Sequence, residues 1–172
     1  MSALIKTISA DELEDSRSRD NPALRPIWAL LEAVKDPEIP VLSIADLGIL
    51  RAVHREDDAL RIVITPTYSG CPAMRTIEED VRELLKSNGY NDVRVETRLT
   101  PPWTTAWMNE DARERLRAYG VAAPVDGEDP QPACPLCGSS NTKQISEFGS
   151  TSCKALHQCT DCLEPFDYFK QI

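Results

Sequence analysis

The sequence predicts an α+β domain, built as helix, β-hairpin, helix, strand, helix, followed by a small β ribbon held by cysteines. Three observations carry this. Apolar residues switch between helical and strand spacing from Leu24 to Gly120. Periodicity then stops in residues 121–132, which contain three prolines and little bulk and read as a semi-stiff linker. After the linker come two C-x-x-C knuckles, Cys134/Cys137 and Cys159/Cys162. The expected division is a flexible tail (1–20), an α+β domain (21–120), the linker (121–132) and the ribbon (133–172).

Each element has its own signal. Residues 1–20 are mostly polar and charged, with a short apolar patch at Leu4, Ile5 and Ile8. Ser9-Ala10-Asp11-Glu12 fits a capping box, but the helix it would open has little apolar surface to bury, so a frayed end or a docking tail is expected. Leu24, Ile27, Trp28, Leu31 and Val34 mark the first helix of the domain, which must end before Asp36-Pro37. The loop Asp36-Pro37-Glu38-Ile39-Pro40 is stiffened by its prolines, and with Asp46 it brings three carboxylates into a short span. They suit a cation or a partner's basic group; equally, Asp36 and Asp46 suit turns that they cap through their own backbone. Residues 48–54 and 60–64 form a hairpin about Arg55-Glu56-Asp57-Asp58, with His54 at a solvent-facing strand end.

The centre of the domain is Thr65-Pro66-Thr67-Tyr68-Ser69-Gly70-Cys71-Pro72-Ala73-Met74, a loop leading from a strand into a helix. Met74, Ile77, Val81, Leu84 and Leu85 make that helix's apolar stripe. Pro72 suits a first helical position, so Cys71 falls at the helix tip, where free N–H groups and the helix dipole favour a thiolate. A small buried hydrophobe is the alternative for such a cysteine. Residues 92–99 alternate as a third strand. The stiff loop Pro101-Pro102-Trp103-Thr104-Thr105-Ala106-Trp107 follows; its tryptophans cover the Cys71 loop, form an interface or pack in the core. A last helix opens at Asn109 and stops at Gly120.

Composition narrows the classes. A net charge of −9 argues against a phosphate-binding surface. No apolar run reaches the length of a membrane span, and no secretory leader is visible, so the expected compartment is the cytoplasm. There, closely spaced cysteines mark metal or redox sites rather than disulfides. The knuckles lie 21 residues apart, at the edge of the four-cysteine zinc-ribbon range, and so short a module needs a metal staple. Zinc is expected structurally at Cys134, Cys137, Cys159 and Cys162, with iron also compatible with the spacing. Cys153 and His157 are candidate extra ligands. Residues 133–172 carry three lysines, no arginine and four acids, so the ribbon has no nucleic-acid footprint and reads as a protein-docking module.

The loop Asp36–Pro40, the triplet Asp46-Leu47-Gly48 and the run Thr65–Pro72 together resemble the small iron–sulfur-assembly domain of the SufT and cytosolic iron–sulfur targeting family. Pro101-Pro102-Trp103 and the helix from Asn109 match a bacterial branch. That branch adds a C-terminal cysteine ribbon ending as Glu164-Pro165-Phe166-Asp167-Tyr168-Phe169-Lys170 does here. The resemblance covers residue 22 to the C-terminus. It implies a non-catalytic accessory protein of a multicomponent phenylacetyl-CoA 1,2-epoxidase, serving aerobic phenylacetate breakdown. It further implies help in assembling a metal cofactor, with the [2Fe–2S] cluster of the iron–sulfur flavin reductase as the expected client.

On this resemblance Cys71 is the functional thiol, holding iron or a cluster transiently, and Asp36, Glu38 and Asp46 are its loop acids. A lone thiolate is a poor permanent cluster site, so Cys71 implies a site shared across a homodimer or a partner, or a labile one. The alternative is a structural adaptor that binds the epoxidase through Trp103, Trp107 and the ribbon. A thiol enzyme lacks support, because His54 and His157 both lie far along the chain from Cys71 and no base is evident.

Overall fold

The computed structural model describes residues 10–125 and 131–172. The capping-box Ser9, the apolar Leu4, Ile5 and Ile8, and residues 126–130 of the expected linker lie outside the described residues. The elements are α1 (Ala10–Asp20), α2 (Arg25–Leu31), β1 (Leu50–Glu56), β2 (Ala59–Ile64), α3 (Ala73–Ser87), β3 (Val93–Thr97), α4 (Glu110–Tyr119), β4 (Val121–Ala122), β5 (Thr142–Ser146), β6 (Lys154–Cys159) and β7 (Pro165–Phe169). A single 3-10 turn, Thr105–Trp107, precedes α4. The predicted α+β order is borne out.

One sheet runs β1-β2-β3. β1 and β2 pair antiparallel as the hairpin, and β3 pairs parallel to β2 after the α3 crossover. α3 and α2 lay their apolar stripes on this sheet: Ile77, Val81 and Leu85 meet Ile27 and Leu31 over Leu60, Ile62 and Ile64, all nearly inaccessible. Burying each such side chain stabilises the fold by roughly 1.5–3 kcal/mol. The second sheet runs β4-β7-β6-β5.

The structure decides one end of the first domain and moves the other. Of the two expectations for the tail, a frayed end or a docked segment, the docked one holds: Ala10–Asp20 is helical and packs on β1. Its anchors are polar, which hydrophobic spacing does not register. Ser18 Oγ donates to the Val53 carbonyl at 2.6 Å and accepts the Val53 N–H at 2.8 Å. Asp15, 5% exposed, pairs with Arg98 at 2.6 Å and Arg51 at 3.2 Å. α1 also covers His54, whose Nε2 lies 3.4 Å from Glu14, so His54 is half-buried rather than solvent-facing.

The linker was expected to begin at Val121. Instead Val121 and Ala122 form β4, parallel to Asp167 and Tyr168 of β7. Phe169 and Cys153 of the ribbon belong to the core of the first domain. The Ile172 carbonyl accepts the Thr105 N–H at 3.1 Å and the Thr104 hydroxyl at 2.8 Å. The two modules are therefore packed on each other through apolar and backbone contacts.

Candidate functional site

The Cys71 loop leaves the end of β2 and enters α3 through Pro72, which is the N-cap. Thr65, Pro66 and Thr67 are buried, Tyr68 and Cys71 half-buried, and Ser69 and Gly70 exposed. The chain thus rises out of the core and leaves Cys71 half-buried just before the α3 tip. The Ala73 N–H points at that sulfur, as a helix terminus should. Its effect is outweighed. Burial, followed by the nearby Glu38, Asp36 and Cys153, pushes the Cys71 thiol above its ordinary range. The expected acidified thiolate is therefore not what the metal-free protein holds at neutral pH; desolvation and two carboxylates beat the dipole.

Asp36 is 6% exposed and caps its own turn: Oδ1 accepts the N–H groups of Glu38 and Ile39 at 2.8 Å each. Burial raises its pKa against those two donors. Glu38, half-buried, is raised by burial and then by Asp36. Lys154 of the ribbon counters both carboxyls and is itself 3.5 Å from Asp167. Asp46 does not join them. It pairs with Arg115 at 2.6 Å and accepts the Ser43 N–H and hydroxyl at 2.8 Å each. Burial would raise its pKa, but Arg115, Ser43 and Asn109 together hold it down at about 2.

In the ribbon, Cys134 and Cys162 sulfurs lie 3.7 Å apart and Cys137 and Cys159 sulfurs 3.6 Å apart. All four lie within 4.8 Å of one another. A tetrahedral ion with metal–sulfur bonds of about 2.3 Å needs sulfurs about 3.8 Å apart, so the set fits one ion. Gly138, at φ +76°, turns the first knuckle in the left-handed region that glycine favours. In the second, the Cys162 N–H points at Cys159 Sγ at 3.5 Å, and with Asp161 it brings Cys159 down to about 7.

Neither candidate extra ligand joins this cluster. His157 is 4% exposed and packs against Phe166 and Tyr168 at ring distances of 5.8 and 5.3 Å, with Nδ1 unpartnered. Cys153 is 5% exposed and turned into the first domain's core. Trp103 is a core residue at 3% exposure, its indole N–H donating to the Leu47 carbonyl at 2.9 Å, rather than the exposed interface side chain expected. Trp107 is half-buried, with the Arg51 guanidinium 3.4 Å above its ring. A cleft of about 310 Å³ opens beside the Cys71 loop, lined by Thr65, Thr67, Tyr68, Pro102, Trp103 and Ile172. Spacing within the chain gave no sign that Cys153 joins the first domain's core, because only docking of the ribbon puts it there.

Two family models match this chain. One, described as an iron–sulfur cluster assembly protein, covers residues 25–97; the other, the PaaD zinc beta ribbon domain, covers residues 120–170. A protein of Escherichia coli (strain K12), provisionally named as a component of 1,2-phenylacetyl-CoA epoxidase, is 51% identical over 156 residues, or 88% of this chain and 94% of that protein. The chain belongs to the PaaD family. An "Fe-S protein maturation auxiliary factor" of Porphyromonas gingivalis is 36% identical over 92 residues, covering 52% of this chain and 87% of its own. A crystal structure of a DUF59 domain of unknown function from Bacillus anthracis superposes with a TM-score of 0.51 at 33% identity, covering 54% of this chain and 89% of that one. The PaaD ribbon match begins at Gly120, immediately before β4, in keeping with Val121 and Ala122 serving the ribbon sheet.

Proposed function

We propose that this protein is an accessory maturation factor of the multicomponent phenylacetyl-CoA 1,2-epoxidase, acting in the cytoplasm in phenylacetate breakdown. It assists assembly of an iron–sulfur or iron cofactor in a partner component, with the iron–sulfur flavin reductase as client. One observation carries the reading: a single chain joins an iron–sulfur-assembly domain to a cysteine ribbon, and a relative named for the epoxidase spans both. The relative named as a maturation factor supports the iron–sulfur role.

Cys71 is the working thiol of this proposal. It stands half-exposed at the α3 tip with Asp36 and Glu38 beside it, and their carboxylates attract a cation that the sulfur then holds briefly. The ribbon takes zinc, since four thiolates in a closed tetrahedron leave no open position for chemistry. It braces a docking module, and a homodimer or the client completes the Cys71 site. The protein is not itself an enzyme in this reading: His54 is engaged by Glu14 and His157 by two aromatic rings, so neither serves Cys71 as a base.

The test is Cys71→Ala co-expressed with the epoxidase components. Reductase cluster content and epoxidase activity are expected to fall together; wild-type levels of both would refute the maturation role. A second reading, a structural adaptor, is favoured by the raised Cys71 pKa and by the core shared between ribbon and first domain. It predicts stable co-purification with the oxygenase components and indifference to Cys71→Ala.

A further inference from the structure

β3 is the outer strand of the first sheet, and no strand covers its far side among the described residues. Its inner side is satisfied by β2. The Leu60 N–H donates to the Asp92 carbonyl and the Arg98 N–H to the Ile64 carbonyl, both at 2.8 Å. Along a strand, neighbouring residues turn their N–H and C=O to opposite sides. Asp92, Arg94, Glu96 and Arg98 therefore serve β2, and Val93, Val95 and Thr97 turn their N–H and C=O to the open edge. The side chains alternate as well. Arg94 and Glu96 are exposed on one face, while Val93 and Val95 are half-buried on the core face beneath α3. The two charges are poorly matched within the chain. Arg94 reaches Asp92 at 3.9 Å, and Glu96 shares the Arg61 guanidinium with Glu56 and Glu14, at 3.2, 2.7 and 3.5 Å respectively.

We infer that the open edge of β3 is a homodimer interface, where a second copy of the chain adds its own β3 antiparallel about a two-fold axis at Val95. The register follows from the residues. Across the axis Val95 meets Val95, Val93 meets Thr97 and Arg94 meets Glu96. Val93, Val95 and Thr97 are the residues with outward backbone groups, so each opposed pair of them exchanges two hydrogen bonds. Each Arg94 stands directly opposite a Glu96 on the exposed face, where cross-strand pairs of opposite charge attract. Charges on an edge strand ordinarily discourage pairing. Here they discourage the neighbouring registers instead. A slip of two residues sets Arg94 against Arg94 or Glu96 against Glu96, and a slip of one turns the buried faces apart. The dimer stands on this edge alone, whatever Cys71 does. It nevertheless constrains the Cys71 site. Ile64 pairs with Thr97, so the Cys71 loop leaves the sheet at the Thr97 end of the edge. The axis sets that end against the Val93 end of the second copy. The two Cys71 loops then lie at opposite ends of the joint sheet, which leaves each to be completed by a client rather than by the second copy.

The experiment is sedimentation equilibrium of the full-length, zinc-loaded protein over a concentration series, at low and high salt. The wild type is expected to dimerise, and more weakly at high salt because the paired charges are exposed. Arg94→Glu and Glu96→Arg each set like charges opposite one another in both symmetry-related pairs, and each should weaken the dimer by about tenfold or more. Mixing the two variants should restore association as a heterodimer, since every opposed pair then has opposite signs again. For the same reason the Arg94→Glu/Glu96→Arg double variant should dimerise by itself. Both side chains are exposed, and zinc content and circular dichroism matching the wild type show that each variant is folded. A wild type that stays monomeric overturns the inference, and so does a dimer that both single variants leave unchanged. Weakening in the single variants without recovery on mixing overturns the register and the inference with it. The maturation role is read separately, from cluster content in the client with Cys71→Ala, so neither result decides the other.

Discussion

The rings of Trp103 and Phe169 stand 6.0 Å apart, tilted by 55°, one from the first domain and one from the last strand of the ribbon. Both are buried, at 3% and 1% exposure, so the contact is part of a continuous core. Phe169→Ala would leave a cavity in both modules and is expected to cost about 3–5 kcal/mol. Calorimetry of the wild type should show a single cooperative transition. Stripping the ribbon ion with a chelator should lower the stability of the first domain as well; two independent transitions would contradict the shared core.

Cys71 offers a direct chemical readout. Its pKa lies above the ordinary thiol value of 9.0, first through burial and then through Glu38, Asp36 and Cys153. The thiol is therefore neutral at pH 7, and iodoacetamide should alkylate it more slowly than a free thiol. The rate should keep rising with pH beyond 9. Glu38→Gln removes one of the charges that disfavour the thiolate, so its profile should move to lower pH. A fast reaction at neutral pH would show that the helix tip, not the acids, sets the sulfur.

Asp46 gives a pH dependence with a definite sign. Its carboxyl titrates at about 2 when folded, against an ordinary 3.8. The charged form is favoured by folding, so its stabilisation is complete above pH 4 and is lost as pH falls toward 2. Asp46→Asn should melt below the wild type at pH 7, and the gap should close between pH 4 and 2. A gap that stays constant would mean that the Arg115 pair contributes nothing.

Gly48 has a steric reason for its identity. Its φ is +70°, and an added Cβ would lie 2.7 Å from the Cβ of Trp107 and 2.8 Å from its carbonyl oxygen. Gly48→Ala combines a left-handed penalty of about 1–2 kcal/mol with overpacking of about 1–3 kcal/mol. Denaturant unfolding should place the total at about 2–5 kcal/mol, whereas Gly89→Ala, with nothing within 4 Å of its Cβ, should cost only the backbone part.

Much of this was legible from spacing. Leu24 to Val34, Leu60 to Ile64 and Met74 to Leu85 announce helix, strand and helix because a buried stripe repeats with the period of its element. The four ribbon cysteines are equally plain, since a metal demands its ligands at short, regular separations within the chain. The docking of α1 was left open because Asp15 and Ser18 hold it through charge and hydrogen bonds, which leave no apolar period. β4 was missed because Val121 and Ala122 are too few to show an alternation.

By itself the sequence determined the element order, the metal knuckles and the position of Cys71 at a helix tip, for these follow from local periodicity and short-range chemistry. Only the tertiary structure decided that Asp46 leaves the acid cluster for Arg115, that Trp103 is core, and that Cys153 of the ribbon is buried in the first domain's core. Those outcomes depend on which distant segments share a core, and the burial and charge that raise the Cys71 pKa exist only once they do.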